Sequence, residues 1–252
     1  MIEKRKAIKQ LEIDKINIFN RTTIRIYETE IQRQLNLESI VQNTINQLDE
    51  KSKPENISKD WLNYFISTSQ DVSEDELKKL WAKILAEECL AKNSFSKMTL
   101  DKLKVMTADD CKLFENLCLR VINTKNNSII IKISENTSFK DSYNFDFSSF
   151  IHLCDLGLLN NSEIANICIP VKSDLEIVLP DGTINFIENR SSTDYQLKFY
   201  LLTSAGKELK RILKIGRDEI YFSNLTTSLR KKNMEIVSMI RPNNMFLHDN
   251  VD

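Results

Sequence analysis

The order of apolar and polar positions changes character near the middle of this chain. From Arg21 to Glu50, Ile24, Tyr27, Ile31, Leu35, Leu37, Ile40, Val41, Ile45 and Leu48 recur at helical spacing with polar residues between. That predicts one long amphipathic helix. Ile2 to Asn20 shows a similar, weaker period and is expected to form a separate helix. A polar break at Lys51–Asn56 holds Pro54. Ser58 is then placed to cap a helix with Asp60 in its first turn, burying Trp61, Leu62, Phe65 and Ile66. Ser73 and Glu76 make an S-x-x-E capping box. The helix behind it puts Leu77, Leu80, Trp81, Ile84, Leu85 and Cys89 on one face and stops at Asn93-Ser94. Ser96 or Thr99 starts a short helix through Leu103. Thr107 with Asp110 opens another, presenting Leu113, Phe114, Leu117, Cys118 and Val121.

Strand patterns follow. Ser128 to Ser134 is a β-branched run. Phe145 to Leu156 is an amphipathic helix stopped by Gly157. Ile167–Val171 and Leu175–Leu179 read as strands. Pro180-Asp181-Gly182 is a turn in which proline presets φ and glycine takes the positive φ, and Thr183–Glu188 returns as the hairpin partner. Tyr195–Leu202 is a strand and Thr203 caps a helix through Ile215. Tyr221–Arg230 is a helix, Lys231–Asn233 a turn and Met234–Ile240 a last strand. The predicted fold class is α+β, mainly α. An all-helical region over residues 1–105 carries the long amphipathic helix, an α+β region spans 106–241, and residues 242–252 are a loose tail. The change in character falls between Lys92 and Thr107, and no internal repeat is visible.

Composition bounds the function. Of 252 residues, 41% are hydrophobic and 28% charged, the balance of a soluble globular protein. No apolar run approaches the roughly 18 residues that span a bilayer. The basic N-terminus lacks an apolar h-region, so no secretory signal and no membrane partner are expected, and the location is cytoplasmic. The net charge is -1 with a pI near 6.2. Any DNA-binding face must therefore be local. The five cysteines, Cys89, Cys111, Cys118, Cys154 and Cys168, are odd in number and not closely paired, which argues for reduced thiols. Four glycines and four prolines leave little room for a Gly-rich phosphate loop.

Asp60-Trp61, Val72-Ser73, Glu76-Leu77 and Leu80 to Glu88 resemble a family of uncharacterised bacterial proteins, domain-of-unknown-function family 2806. The similarity continues through Ser94-Phe95-Ser96, Thr99-Leu100, Leu103-Lys104, Asp109 and Phe114. It extends by scattered positions to Leu202-Thr203, Gly206 and Glu208-Leu209, so that Arg21 to Leu213 is covered. That family usually has Pro-Gly before the Ser-Phe-Ser step, where this chain has Lys92-Asn93. The resemblance implies no catalytic residues. It suggests a link to mobile elements or phage defence, with a defence-system effector or toxin as one alternative. The C-terminal half also resembles winged-helix domains, on Asp155-Leu156-Gly157-Leu158-Leu159 and on Leu202 to Leu209. It departs from them in showing one helix, not two, between the first strand and the hairpin.

A winged-helix reading invites DNA binding, yet the Phe145–Leu156 helix spends Phe147, Phe150, Ile151, Leu153 and Cys154 on its apolar face. That leaves Asp146, Ser148, Ser149, His152 and Asp155 outside, two acids and no Lys or Arg, which repels phosphate. The best place for a phosphate contact is the set Lys207, Lys210, Arg211, Lys214 and Arg217. Lys4, Arg5, Lys6 and Lys9, and Arg230, Lys231 and Lys232, read as solvated faces. His152, Cys154 and Cys168 lack the paired spacing of a zinc site, and His248 lies in the tail. Cys111 and Cys118 share a helix face in a core pattern. His152 and Cys154 point apart on one helix, no G-x-S-x-G elbow is present, and the doublets Glu87-Glu88 and Asp109-Asp110 splay at helix ends. Trp61 and Trp81 read as core. No cofactor, metal or catalytic residue is expected. The expected function is a non-enzymatic regulatory or interaction protein that binds a protein partner or itself through the Arg21–Glu50 helix, with a winged-helix DNA-binding regulator as the alternative.

Overall fold

The computed structural model describes residues 2–48, 55–133, 138–160, 165–213 and 215–238. The chain forms two compact units, residues 1–108 and 109–252.

The first unit is built from α1 (Ile2–Ile45), α2 (Lys59–Ser69), α3 (Asp75–Leu90) and α4 (Lys97–Val105). α1 is one continuous helix of 44 residues, not two. No glycine or proline interrupts it, and at 1.5 Å per residue it runs about 66 Å. It ends at Ile45 and not at Glu50, which lies outside the described residues. After Ile45 the backbone tightens: Gln47 N donates to Thr44 O at 3.0 Å and Leu48 N to Ile45 O at 3.2 Å, the shorter-range pattern that closes a helix. The C-terminal part of α1 docks on the unit. Asn36, Ile40 and Thr44 are buried. Asn36 Nδ2 donates to Gln70 O at 3.0 Å and Arg33 pairs with Asp71 at 2.7 Å.

Behind α1, Trp61 stacks on Phe65 at 5.2 Å, and Phe65 meets Trp81 edge-on at 5.3 Å. Trp61 Nε1 donates to Phe95 O at 2.7 Å. Both tryptophans are core residues. Ser58 is the N-cap of α2. Leu62 is half-buried and Ile66 exposed, so α2 buries a narrower stripe than its sequence pattern suggests. The N-cap of α3 is Glu74, one residue beyond Ser73, so the helix starts later than the S-x-x-E pattern places it. Ser96, and not Thr99, caps α4, its hydroxyl accepting from Thr99 N. Glu88 is wholly enclosed and accepts from Asn93 N at 2.7 Å and Phe95 N at 3.0 Å. Asn93 has φ 65°, the left-handed region that favours glycine and that asparagine tolerates best among other residues. The turn that this chain writes as Lys92-Asn93 therefore keeps a glycine-like backbone.

The second unit runs α5 (Ala108–Cys118), β1 (Ile122–Asn123), β2 (Ser128–Ile131), α6 (Phe139–Tyr143), α7 (Phe147–Asp155), β3 (Leu159–Asn160), β4 (Asn166–Ile169), β5 (Asp174–Val178), β6 (Ile184–Asn189), β7 (Tyr195–Leu202), α8 (Ser204–Arg211), α9 (Glu219–Arg230) and β8 (Met234–Ser238). Eight antiparallel strands form a sheet in the order β3-β7-β2-β1-β5-β6-β8, with β4 also on β7. Along β7, Tyr200 faces Ile130 of β2, while Leu202 faces Leu159 of β3 and Leu197 faces Ile167 of β4. The whole chain is thus α+β and mainly α.

Two helices, not one, lie between the first strands and β3. α6 is short, but Ser138 caps it by accepting from Asp141 N. The β5–β6 hairpin turns through Gly182 at φ 86°, as the Pro-Asp-Gly sequence requires. It does not stand free as a wing: β5 pairs with β1 and β6 with β8. α8 stops at Arg211, short of Ile215, and β8 ends at Ser238 among the described residues.

The segments around Gly157 and Gly206 meet. Gly157 (φ 74°) ends α7 with Gly157 N donating to Cys154 O at 2.9 Å and Leu158 N to Leu153 O at 3.1 Å, the paired bonds of a Schellman cap. Thr203 caps α8 and also donates through Oγ1 to Gly157 O at 2.7 Å. A Cβ at Gly206 would lie 2.2 Å from Leu158 O, so only glycine allows this approach.

Candidate functional site

Most of the large exposed apolar residues among the described residues lie on α1. Tyr27, Ile31 and Leu35 follow one another at spacings of four, so they share a face. The docked residues Asn36, Ile40 and Thr44 each come nine positions after one of them: 27 to 36, 31 to 40, 35 to 44. Nine residues are about two and a half turns, so the two trios lie on opposite sides of the helix. One side is buried in the unit. The other stays open: Tyr27 is 67% exposed, Ile31 60% and Leu35 54%. The open side continues toward the N-terminus through Ile24, Ile16 and Ile13, and toward the C-terminus to Ile45, all exposed. Beside its C-terminal end an apolar groove of about 580 Å³ opens between α1 and α2, lined by Leu37, Ile40, Val41, Leu62, Phe65 and Ile66 among others. Leu11, Ile18, Phe19 and Ile26 are also exposed, on the other side of the N-terminal part, but a run of apolar residues along one helical face is the mark of an interaction surface.

In the second unit, α7 is capped by Asp146, whose carboxylate accepts from Ser148 N and Ser149 N. Those bonds, led by the Ser148 hydroxyl, hold its pKa below the usual carboxylate range. Phe150 and Leu153 are buried, Ile151 and Cys154 half-buried, and Phe147 is exposed. His152 Nε2 lies 2.6 Å from Asp110 Oδ1, a contact between α7 and α5 that the sequence did not suggest. The outward side of α7 therefore carries carboxylates and a histidine that already faces one.

The five basic positions singled out for phosphate contact fare differently from one another. Lys207 Nζ donates to Asn126 O at 3.3 Å and Asn127 Oδ1 at 3.4 Å. Lys210 Nζ donates to Asn123 Oδ1 at 3.4 Å, and burial pushes its pKa down. Both are turned onto the β1–β2 connection. Arg211 is exposed in the last turn of α8, and Lys214 lies outside the described residues. Arg217 lies between Glu219 at 2.7 Å and Asp181 at 3.5 Å, which raise its pKa. The structure does not gather these residues into one cationic face among the described residues.

A buried polar cluster was missed by sequence reasoning. The Arg120 and Asp218 side chains are 2% and 6% exposed and pair at 2.5 Å. Arg120 also donates to Tyr143 O, Asn116 O and Asn144 O, and Asn144 Nδ2 donates to Asp218 at 3.0 Å. Asp218 caps α9 through Tyr221 N. The Tyr221 hydroxyl in turn bonds the Ile131 backbone. Desolvation lowers the Arg120 pKa, against the pull of Asp218. The available signal was a lone arginine inside the apolar run Leu117-Cys118-Leu119-Arg120-Val121-Ile122. Its geometry is that of a clamp joining α5, α6 and α9, with no nucleophile within it.

Among the described residues no group of three or more His, Cys, Asp and Glu is arranged to hold a metal ion, and no helix is long and apolar enough to cross a membrane. Burial raises the pKa of the Cys118 thiol strongly and that of Cys154 to about 11, so both are held as thiols; Cys168 is exposed.

These features define an α+β protein with a long N-terminal helix and an antiparallel sheet. The chain belongs to the family described as protein of unknown function (DUF2806), whose model matches residues 20–226 and so extends past Leu213 into α9. No curated protein and no solved structure matches it.

Proposed function

We propose that this chain is a non-enzymatic interaction protein of the cytoplasm whose working surface is the open face of α1. The observation that carries this reading is the half-turn offset between the docked trio Asn36, Ile40 and Thr44 and the exposed trio Tyr27, Ile31 and Leu35. A lone helix in water is marginal, and most helical stability comes from burying an apolar face. Described residues 24–32 of α1 are all exposed, so that stretch gains little from its own unit. A protein surface laid along the stripe supplies the missing burial, at about 1.5–3 kcal/mol for each large apolar side chain covered. Photo-activatable residues placed at Tyr27 and at Lys15 in living cells test this. Discrete protein adducts are expected from Tyr27 and not from Lys15. Equal or absent labelling at the two positions would refute the reading.

The second reading is a duplex-binding regulator. It is favoured by the element order strand, two helices, strand in the second unit, with β2, β7 and β3 adjacent. Against it stand the acids on α7 and the engagement of Lys207, Lys210 and Arg217. Anisotropy of a labelled random duplex at low and physiological salt decides. Binding that falls steeply with salt supports this reading; no binding at low salt removes it.

A further inference from the structure

We infer that the surface covering the open face of α1 is the α1 of a second copy of this chain, running antiparallel. This rests on α1 being the working surface. The argument is one of register and charge. Ile24, Ile31 and Glu38 recur every seven residues, and Gln10 and Asn17 continue the set toward the N-terminus. Tyr27, Asn20, Ile13 and Lys6 form a second set every seven residues, continued by Gln34. Together they occupy the spacing of the two inward rows of a coiled coil, with Ile13, Ile24, Tyr27 and Ile31 apolar, Gln10, Asn17, Asn20 and Gln34 polar, and Lys6 and Glu38 charged at the ends. All of these residues lie in α1.

If two copies ran parallel and in register, each residue would meet itself. Lys6 would face Lys6 at one end and Glu38 would face Glu38 at the other. Like charges at the seam of a pairing repel, and both ends would suffer. If the copies run antiparallel, one row meets the other. Centred on Thr22, every pair is equidistant from that residue: Ile24 meets Asn20, Tyr27 meets Asn17, Ile31 meets Ile13, Gln34 meets Gln10 and Glu38 meets Lys6. Each pair occurs twice in the dimer. The two like-charge conflicts become two opposite-charge pairs, and Ile31 of each copy covers Ile13 of the other, while Ile24 lies against Asn20. Lys6 and Glu38 are exposed, as are Ile13, Ile24 and Ile31, and Glu38 accepts only an exposed hydrogen bond from Gln34 one turn earlier at 2.8 Å. The docked end does not obstruct the approach, because Leu35 and Ile45 on the same side are open. A different partner would need no such symmetry about Thr22, under which the two rows exchange and Lys6 and Glu38 find complements within one helix.

The test uses the full chain. Light scattering is expected to give twice the 29.3 kDa of one chain. Lys6→Glu and Glu38→Lys should each weaken the dimer roughly tenfold or more at low salt, and the double exchange should restore it. The added cysteines of Lys6→Cys and Glu38→Cys, mixed and oxidised, should link to each other, the linked peptides being identified by mass spectrometry. Three results overturn the inference: a monomer at all concentrations, single exchanges without effect, or Lys6→Cys linking to itself. A monomer that still gives adducts from Tyr27 to another protein would leave α1 as the working surface and remove only the second copy.

Discussion

Arg120 shows what a single side chain can hold together. Its guanidinium reaches carbonyls on α5 and around the end of α6, and a carboxylate that starts α9. Removing one partner of such a pair leaves the other charge enclosed, and the cost in comparable buried pairs is about 3–5 kcal/mol. Arg120→Met is therefore expected to lower the urea midpoint sharply. Adding Asp218→Asn should recover part of the loss, since asparagine still accepts from Tyr221 N without a buried charge. Asn93 offers a smaller, cleaner case. With φ at 65°, Asn93→Gly should be neutral or stabilising by up to about 1 kcal/mol, while Asn93→Val should cost about 1–2 kcal/mol. Thermal melts of the two variants against the parent decide. The helix stop at Asn93-Ser94 was legible, but the left-handed backbone at Asn93 was not, because the replacement of Pro-Gly suggested a different turn. The Arg120 clamp was not, because its partner lies far along the chain and no local period marks a long-range ion pair.

At the level of elements, the helical periods foretold the most. The strand Tyr195–Leu202, the Pro-Asp-Gly turn and the Thr203 cap were all visible in the residues, because each depends on local backbone chemistry. What escaped were β1 and β3, each of two residues and held in place by their neighbours, and α6, whose Ser138-x-x-Asp141 start precedes one turn of helix. The candidate site was half legible. The apolar stripe of α1 stood out, but its pattern mixes two faces. Tyr27, Ile31 and Leu35 were read together with Leu37, Ile40 and Val41 as one seam, and only the structure separates the docked side from the open one. A matched pair of substitutions measures that separation. Ile40→Ala should cost about 2–5 kcal/mol, as for other fully buried isoleucines. Ile31→Ala should change stability by less than about 0.5 kcal/mol when measured in dilute solution, where copies are apart. Equal costs would mean that the two sides are not distinct.

Across the whole molecule, the buried acids set the alkaline limit. Burial raises Tyr143, Tyr221 and Cys118 above their ordinary values of 10.0, 10.0 and 9.0. Because the folded pKa exceeds the unfolded one, the unfolded chain gives up these protons first. The stability linked to them is complete below about pH 9 and is lost as pH rises beyond it. Urea midpoints at pH 8.0, 9.5 and 10.5 should fall in that order, by more than in a Cys118→Ala, Tyr143→Phe variant; a flat profile would mean these groups are accessible. The half-turn between the two sides of α1 has a consequence of another kind. An uninterrupted helix acts as a shaft, and the side chains on its two sides have a fixed phase. One alanine inserted between Leu35 and Asn36 would rotate everything before it by about 100° relative to the docked trio, without changing the composition of either side. Seven inserted residues would bring the stripe back to within about 20°. The two insertions would thus alter where a partner is carried around the first unit while leaving the docked trio itself unchanged, each giving up only the Arg33–Asp71 pair, as a key turned in its lock keeps its teeth.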